Sequence, residues 1–106
     1  CIYSMINLGY KNIYLYGADH SWTTQLCVND KNQVCLKDLH FYDKENVTLK
    51  PWLKGSGESY KMHEILRDLA QMFDSYHELQ VYSEYLGDVK IINMSKDSFI
   101  DAFKKE

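Results

Sequence analysis

The stretch "YGADHSW", Tyr16 to Trp22, places a glycine, a carboxylate, an imidazole and a hydroxyl within five positions after the apolar run "NIYLY". His20 is the side chain best suited to acid–base work near neutral pH. Asp19 and Ser21 carry oxygens that could hold a polar ligand, and both also suit the capping of turns, so a plain polar loop is the alternative. Three other histidines compete for a chemical role. His40 lies in "KDLHFYDKE", where Asp38 shares its face if the strand continues, which would let the carboxylate orient the ring. His63 falls in the first turn of a long helical segment beside "GSGES", and His77 lies far along that segment, where a surface position is the simplest reading. No triad assembles from these groups.

Positioning falls to the surrounding elements. "CIYSMINLG" reads as the tail of a helix, with apolar Cys1, Ile2, Met5, Ile6 and Leu8 and with Gly9 where a left-handed C′ residue belongs. "YKNIYLYG" follows as a short strand that looks apolar on both faces, as in a covered parallel sheet. The same grammar returns later: "SEYLG" closes a helix at Gly87, "DVKIIN" is a strand and "MSKDS" a polar turn. "FIDAFKKE" is expected to open a last helix, with Ser98 and Asp101 in a capping pattern and Lys104 and Lys105 in its last turn. Helix, glycine, strand and polar loop, written twice, predict αβ units on a parallel sheet. In such sheets ligands sit beyond the carboxyl ends of the strands, so residues 17–22 and 93–98 would face one crevice if the two strands are neighbours.

Between these units "TTQLCVNDKNQVCLKD" has two β-prone runs around a polar turn and predicts a hairpin, across which Cys27 and Cys35 would face each other. "KPWLKGSGES" reads as loop. Its glycines invite comparison with a phosphate loop, but the GK[ST] ending of a Walker motif is missing, so a flexible linker or lid is expected. From Tyr60 to Leu86 apolar residues recur at three- and four-residue steps through Met62, Ile65, Leu66, Leu69, Met72, Phe73, Tyr76 and Leu79, which predicts one long helix, with room for a bend near Asp74–His77. Trp22 and Trp52 fall in loops, whereas most tyrosines read as core residues with a wet edge.

At 106 residues with 45% hydrophobic and 25% charged side chains, the composition is that of a globular domain. A net charge of −3 argues against nucleic acid as a partner. No apolar run approaches a membrane span. Three cysteines without a CxxC pair point to free thiols in a reducing compartment, though a Cys27–Cys35 disulfide stays open, and no zinc-ligand spacing is written. A helix that starts abruptly on its apolar face suggests the carboxy-terminal part of a larger protein.

"LGYKNIYLYGADHSW" resembles the segment "LGYKEIYLxGxD" of bacterial sialyltransferases of glycosyltransferase family 42 and of motility-accessory-factor proteins of flagellin glycosylation. The carboxy-terminal "VKIINMSKDSFIDAF" is similar in order to their ends. The resemblance implies an α/β fold with a Rossmann-like parallel sheet, flanking helices and an inserted β-hairpin, here as a partial domain over residues 1–106. It implies transfer of a nine-carbon acidic sugar from a cytidine-monophosphate donor to a glycan acceptor in surface-polysaccharide, lipopolysaccharide or glycoprotein assembly, without a metal or other cofactor. Gly17 and Asp19 match the family's G-x-D. A family tyrosine that holds the donor phosphate corresponds to Ser21, whose hydroxyl reaches less far. The family's base, a histidine in a G-H-S context before the long helix, has no clean match in "GSGESYKMH", and His63 is the nearest. The expectation is therefore a substrate-binding set of Gly17, Asp19, His20 and Ser21, with His63 or His40 as base, and a chain that is inactive by itself. A cytoplasmic location is expected, with association at the inner face of the inner membrane left open, and a half-domain with an uncovered sheet edge could pair with a second copy. Two alternatives stand beside it. One is a pterin diphosphokinase-like enzyme using ATP and magnesium, for which Asp19 and Asp38 would supply carboxylates. The other is a non-catalytic binding module on a degenerate transferase fold.

Overall fold

The computed structural model describes residues 1–39 and 47–106, a mixed α/β chain with two small sheets and two compact units. The first unit comprises Cys1–His20 and Leu69–Glu106, and the second Ser21–Asp68.

In the first unit, helix α1 (Ile2–Asn7) ends as its sequence requires. Gly9 has φ +96, its N–H bonds the Ile6 carbonyl and the Tyr10 N–H bonds the Met5 carbonyl, the paired bonds of a Schellman stop. Strand β1 (Asn12–Leu15) follows and pairs in parallel with β5 (Lys90–Asn93), Asn12 opposite Lys90 and Leu15 opposite Asn93. Helix α2 (Met62–Leu86) runs unbroken from the second unit into the first and gives way at Gly87, φ +83, just before β5. One face of the sheet carries Ile13 and Ile91, which join Ile6, Val89, Ile100 and Phe103 in the core, with Phe73, Tyr76 and Leu79 of α2 packed against them.

Two expectations for this unit are corrected. Strand β1 is not covered on both faces: Tyr14 is 53% exposed and Asn12 and Lys90 are also exposed, so the sheet keeps an open face. Nor does "FIDAFKKE" form a helix. The chain instead runs to a short strand β6 (Lys104–Lys105), parallel to β5, with Ile92 opposite Lys104. The Ser98 hydroxyl that would have capped a helix donates to the Ala18 carbonyl and accepts the Ile100 N–H. Lys105 donates to the Lys96 and Ser98 carbonyls. A helix this short has little stability of its own, so sheet pairing and burial of Ile100 and Phe103 prevail.

The second unit is an antiparallel sheet of β2 (Leu26–Val28), β3 (Val34–Leu39) and β4 (Val47–Pro51), so the predicted hairpin is two of three strands. Asn29 closes its turn by accepting the Lys31 and Gln33 N–H groups. Cys27 stands opposite Cys35 as the sequence suggests, and both are free thiols, Cys27 Sγ donating to the Cys35 carbonyl. "KGSGES" is a closed turn rather than a lid: the Lys54 N–H bonds the Glu58 carbonyl, the Gly57 N–H bonds the Lys54 carbonyl, and Leu53 bridges Ser59. The Lys54 and Gly57 amides are thus engaged in the turn itself. Glu64 ties this turn to the start of α2. It accepts from Lys54 Nζ at 2.7 Å and from the Lys61 N–H at 3.0 Å, and Lys54 also lies over the Tyr60 ring. The Lys54 bond, followed by the Lys61 N–H, lowers the Glu64 pKa, and the bond to Glu64 raises that of Lys54.

Two predictions follow from these contacts. Asn93 is fully buried and donates to the Ile100 carbonyl while accepting the Ser95 N–H, so Asn93→Ala strands one buried and one half-buried polar group beside a cavity. Urea denaturation should show a loss of about 2–4 kcal/mol, and an unchanged midpoint would contradict the role given to this amide. The stability advantage of the parent chain over Glu64→Gln should be present at neutral pH and shrink as pH falls below 4.5, the ordinary glutamate value. A carboxylate with a depressed folded pKa stabilises above its unfolded pKa and loses that contribution on protonation. At the alkaline end the advantage should fade as pH rises through the raised Lys54 pKa, which lies above its ordinary 10.5. Thermal melts across pH would read both limbs.

Candidate functional site

Because β1 and β5 are parallel neighbours, the loops that leave their carboxyl ends meet at one end of the first unit's sheet. The ladder continues past the strands: the Met94 N–H bonds the Leu15 carbonyl at 2.8 Å. Gly17, φ +68, turns the chain out of the sheet and donates its N–H to Ser95 Oγ at 2.8 Å. Ser98 Oγ donates to the Ala18 carbonyl at 2.6 Å, and the Phe99 N–H bonds the Asp19 carbonyl at 2.8 Å. Asn93 anchors the second loop from beneath. The serine hydroxyls of the 93–98 loop are therefore engaged in holding the backbone of the 17–20 loop. Asp19 presents its carboxylate to solvent.

His20 is the unusual residue. Its φ of +52 lies in the left-handed region, which costs a non-glycine residue about 1 kcal/mol. Asn32 has a similar φ, but in an Asn-containing turn, where this conformation is common. The His20 ring is held at a fixed place: Nε2 lies 2.7 Å from the Tyr76 hydroxyl, and the ring packs edge-on to Phe73. Tyr76 is positioned in turn by its edge-to-face contact with Phe103. Together they fix an imidazole beside an exposed carboxylate at the carboxyl edge of a parallel sheet. Such a ring can take a proton from a hydroxyl, and the carboxylate can accept hydrogen bonds from a polyhydroxyl ligand.

Gly17, Asp19 and His20 are thus brought together with Tyr76. Ser21 begins the second unit, where its carbonyl accepts both the N–H and the hydroxyl of Thr24 in a 3-10 turn (Trp22–Gln25). His63 also lies in the second unit, exposed in the first turn of α2, where it lines an open cavity of about 660 Å³ with Asn32, Lys61 and Leu66. His40, and with it the Asp38–His40 pairing, lies outside the described residues. His77 is exposed, as its position suggests, with Nε2 3.2 Å from Asp101 Oδ1. Sequence reasoning passed over Tyr76, which sits in the apolar stripe of α2 and reads there as core. It placed Asn93 at the start of the 93–98 loop without its role as a buried anchor, although an asparagine that ends an otherwise apolar strand is a usable signal.

No group of three or more His, Cys, Asp and Glu side chains placed to hold a metal occurs among the described residues. No helix among them is long and apolar enough to cross a membrane. Comparison of the chain with protein-family models, curated proteins and solved structures returned no match.

Tyr76→Phe keeps the ring and its contact with Phe103 while removing the partner of His20 Nε2. The expected loss is about 1 kcal/mol by denaturation, with movement of the His20 ring signals in the NMR spectrum. Unchanged ring signals would show that the hydroxyl does not hold His20.

Proposed function

We propose that the first unit is the ligand-binding edge of a Rossmann-like, sugar-nucleotide-dependent glycosyltransferase-like protein acting in surface-polysaccharide or glycoprotein glycan assembly. The observation that carries this reading is the meeting of the β1 and β5 loops at the carboxyl end of a parallel sheet, with Asp19 exposed and His20 held there by Tyr76. The carboxyl end of the strands is where ligands sit in open α/β sheets. In this reading Asp19 accepts hydrogen bonds from sugar or ribose hydroxyls, and the Gly17 turn lets the backbone come close to the ligand. With Nε2–H donating to the Tyr76 oxygen, His20 takes the proton of the acceptor hydroxyl on Nδ1 as that oxygen bonds to the anomeric carbon, while the bond from that carbon to the donor phosphate breaks and the phosphate leaves with the electron pair. His20 replaces His63 and His40 as the base in this proposal, since its ring stands with Asp19 on the same edge.

Titration of the chain with cytidine monophosphate, followed by amide NMR, tests it. Amides of residues 17–20 and 95–98 should move with saturation, and Asp19→Ala should weaken binding about tenfold, or 1.4 kcal/mol. A response to ATP with magnesium in place of cytidine monophosphate would move the reading to phosphoryl transfer. Stillness of both loops with either nucleotide would overturn it.

A further inference from the structure

A cavity of about 600 Å³ in the first unit opens beside the sheet, and no residue of the 17–20 loop lines it. Its volume lies within the roughly 300–1,000 Å³ range of small-molecule sites. We propose that this groove binds a short oligosaccharide.

The lining makes the argument. Asn12, Tyr14, Gln80, Glu84, Lys90 and Lys104 contribute to its walls. The strand register places Asn12 beside Lys90, and Tyr14 beside Ile92, which in turn pairs with Lys104, so these side chains share the open face of the sheet. Tyr14 presents a half-exposed ring, a flat apolar surface of the kind on which the C–H face of a pyranose rests. In the same lining, Gln80 Nε2 donates to Glu84 Oε1 at 3.0 Å across one turn of α2. That bond holds an amide oxygen and a second carboxylate oxygen ready to accept from adjacent sugar hydroxyls. Donors come from the Asn12 amide and from Lys90 and Lys104, neither of which has an ion-pair partner among the described residues. The two ammonium groups are balanced by Glu84 and Glu106 in the same lining, so the groove does not select an anion. Donors and acceptors in similar number around one aromatic ring are complementary to a neutral, hydroxyl-rich ring. They are a poor match for a lipid or an apolar peptide, either of which would leave these groups without hydrogen bonds.

The site is separate from the loops of the proposed donor edge, and the two readings stand or fall by different signals. Amide NMR of the full chain, titrated with maltotriose and with chitotriose and with glycerol as a simple polyol control, tests the groove. One or both saccharides should shift amides of residues 12–14 and 90–92 saturably, with an affinity on the order of millimolar, while residues 17–20 stay still. Tyr14→Phe should retain binding. Tyr14→Ala and Glu84→Ala, both at exposed positions, should each weaken it about tenfold or more. No saturable shift with either saccharide, equal shifts with glycerol, or undiminished binding in Tyr14→Ala would each overturn the proposal.

Discussion

Parallel pairing between β1 and β5 is the constraint on which the first unit depends. The paired strands are far apart in the chain, so bringing them together carries a loop-closure cost that local contacts cannot offset. Burial offsets it. Register sets Ile13 against Ile91 on the core face, where α1 supplies Ile6, α2 supplies Phe73 and Tyr76, and the carboxy-terminal segment supplies Ile100 and Phe103. A slip of β1 by one residue would turn Asn12 and Tyr14 into this core and expose Ile13. The same register brings the two carboxyl-end loops together and leaves Tyr14 on the open face.

Polar side chains at the carboxyl edge divide into two kinds. Ser95 and Ser98 are committed to backbone groups of the neighbouring loop and Asn93 to the Ser95 and Ile100 backbone of its own segment, and each lies wholly or partly out of solvent. Asp19 projects to solvent, and His20 is held in a left-handed conformation by Tyr76. The committed residues make the loop stiff enough to hold the strained one. Positive φ at a non-glycine residue persists only where the surroundings over-determine it, and the three cross-loop hydrogen bonds to residues 17–19 supply that surrounding.

The second unit is organised by contacts closer in sequence. Asn29 closes the β2–β3 turn, the Lys54–Glu64 pair ties the "GSGES" turn to the first turn of α2, and Trp52 packs edge-on to Tyr60. Ionic links of this kind, partly open to water, respond to pH more than they add to stability.

Much of this was legible in the sequence, and the parts that were follow from local physics. Gly9 and Gly87 mark helix ends because a left-handed residue is needed there, whatever the rest of the fold does. The period of Met62 to Leu79 determines α2, and "NDKNQ" between two β-prone runs determines a hairpin with Cys27 opposite Cys35. Helix, glycine, strand and polar loop, written twice, were enough to foresee a parallel pair with its loops at one edge. Tertiary structure alone decided the rest. "FIDAFKKE" carries a helical capping pattern, yet Ser98 bonds Ala18 and Lys104 pairs with Ile92, contacts that no local rule contains. Tyr76 belongs to a helical stripe by sequence and becomes a histidine's partner only because α2 packs beside the end of β1. Tyr14 looks like core in "NIYLY" and is half-exposed because the register turns it to the face opposite the Ile13–Ile91 core. Local spacing determines which elements form, whereas which polar atoms hold the scaffold and which meet solvent is settled by long-range pairing.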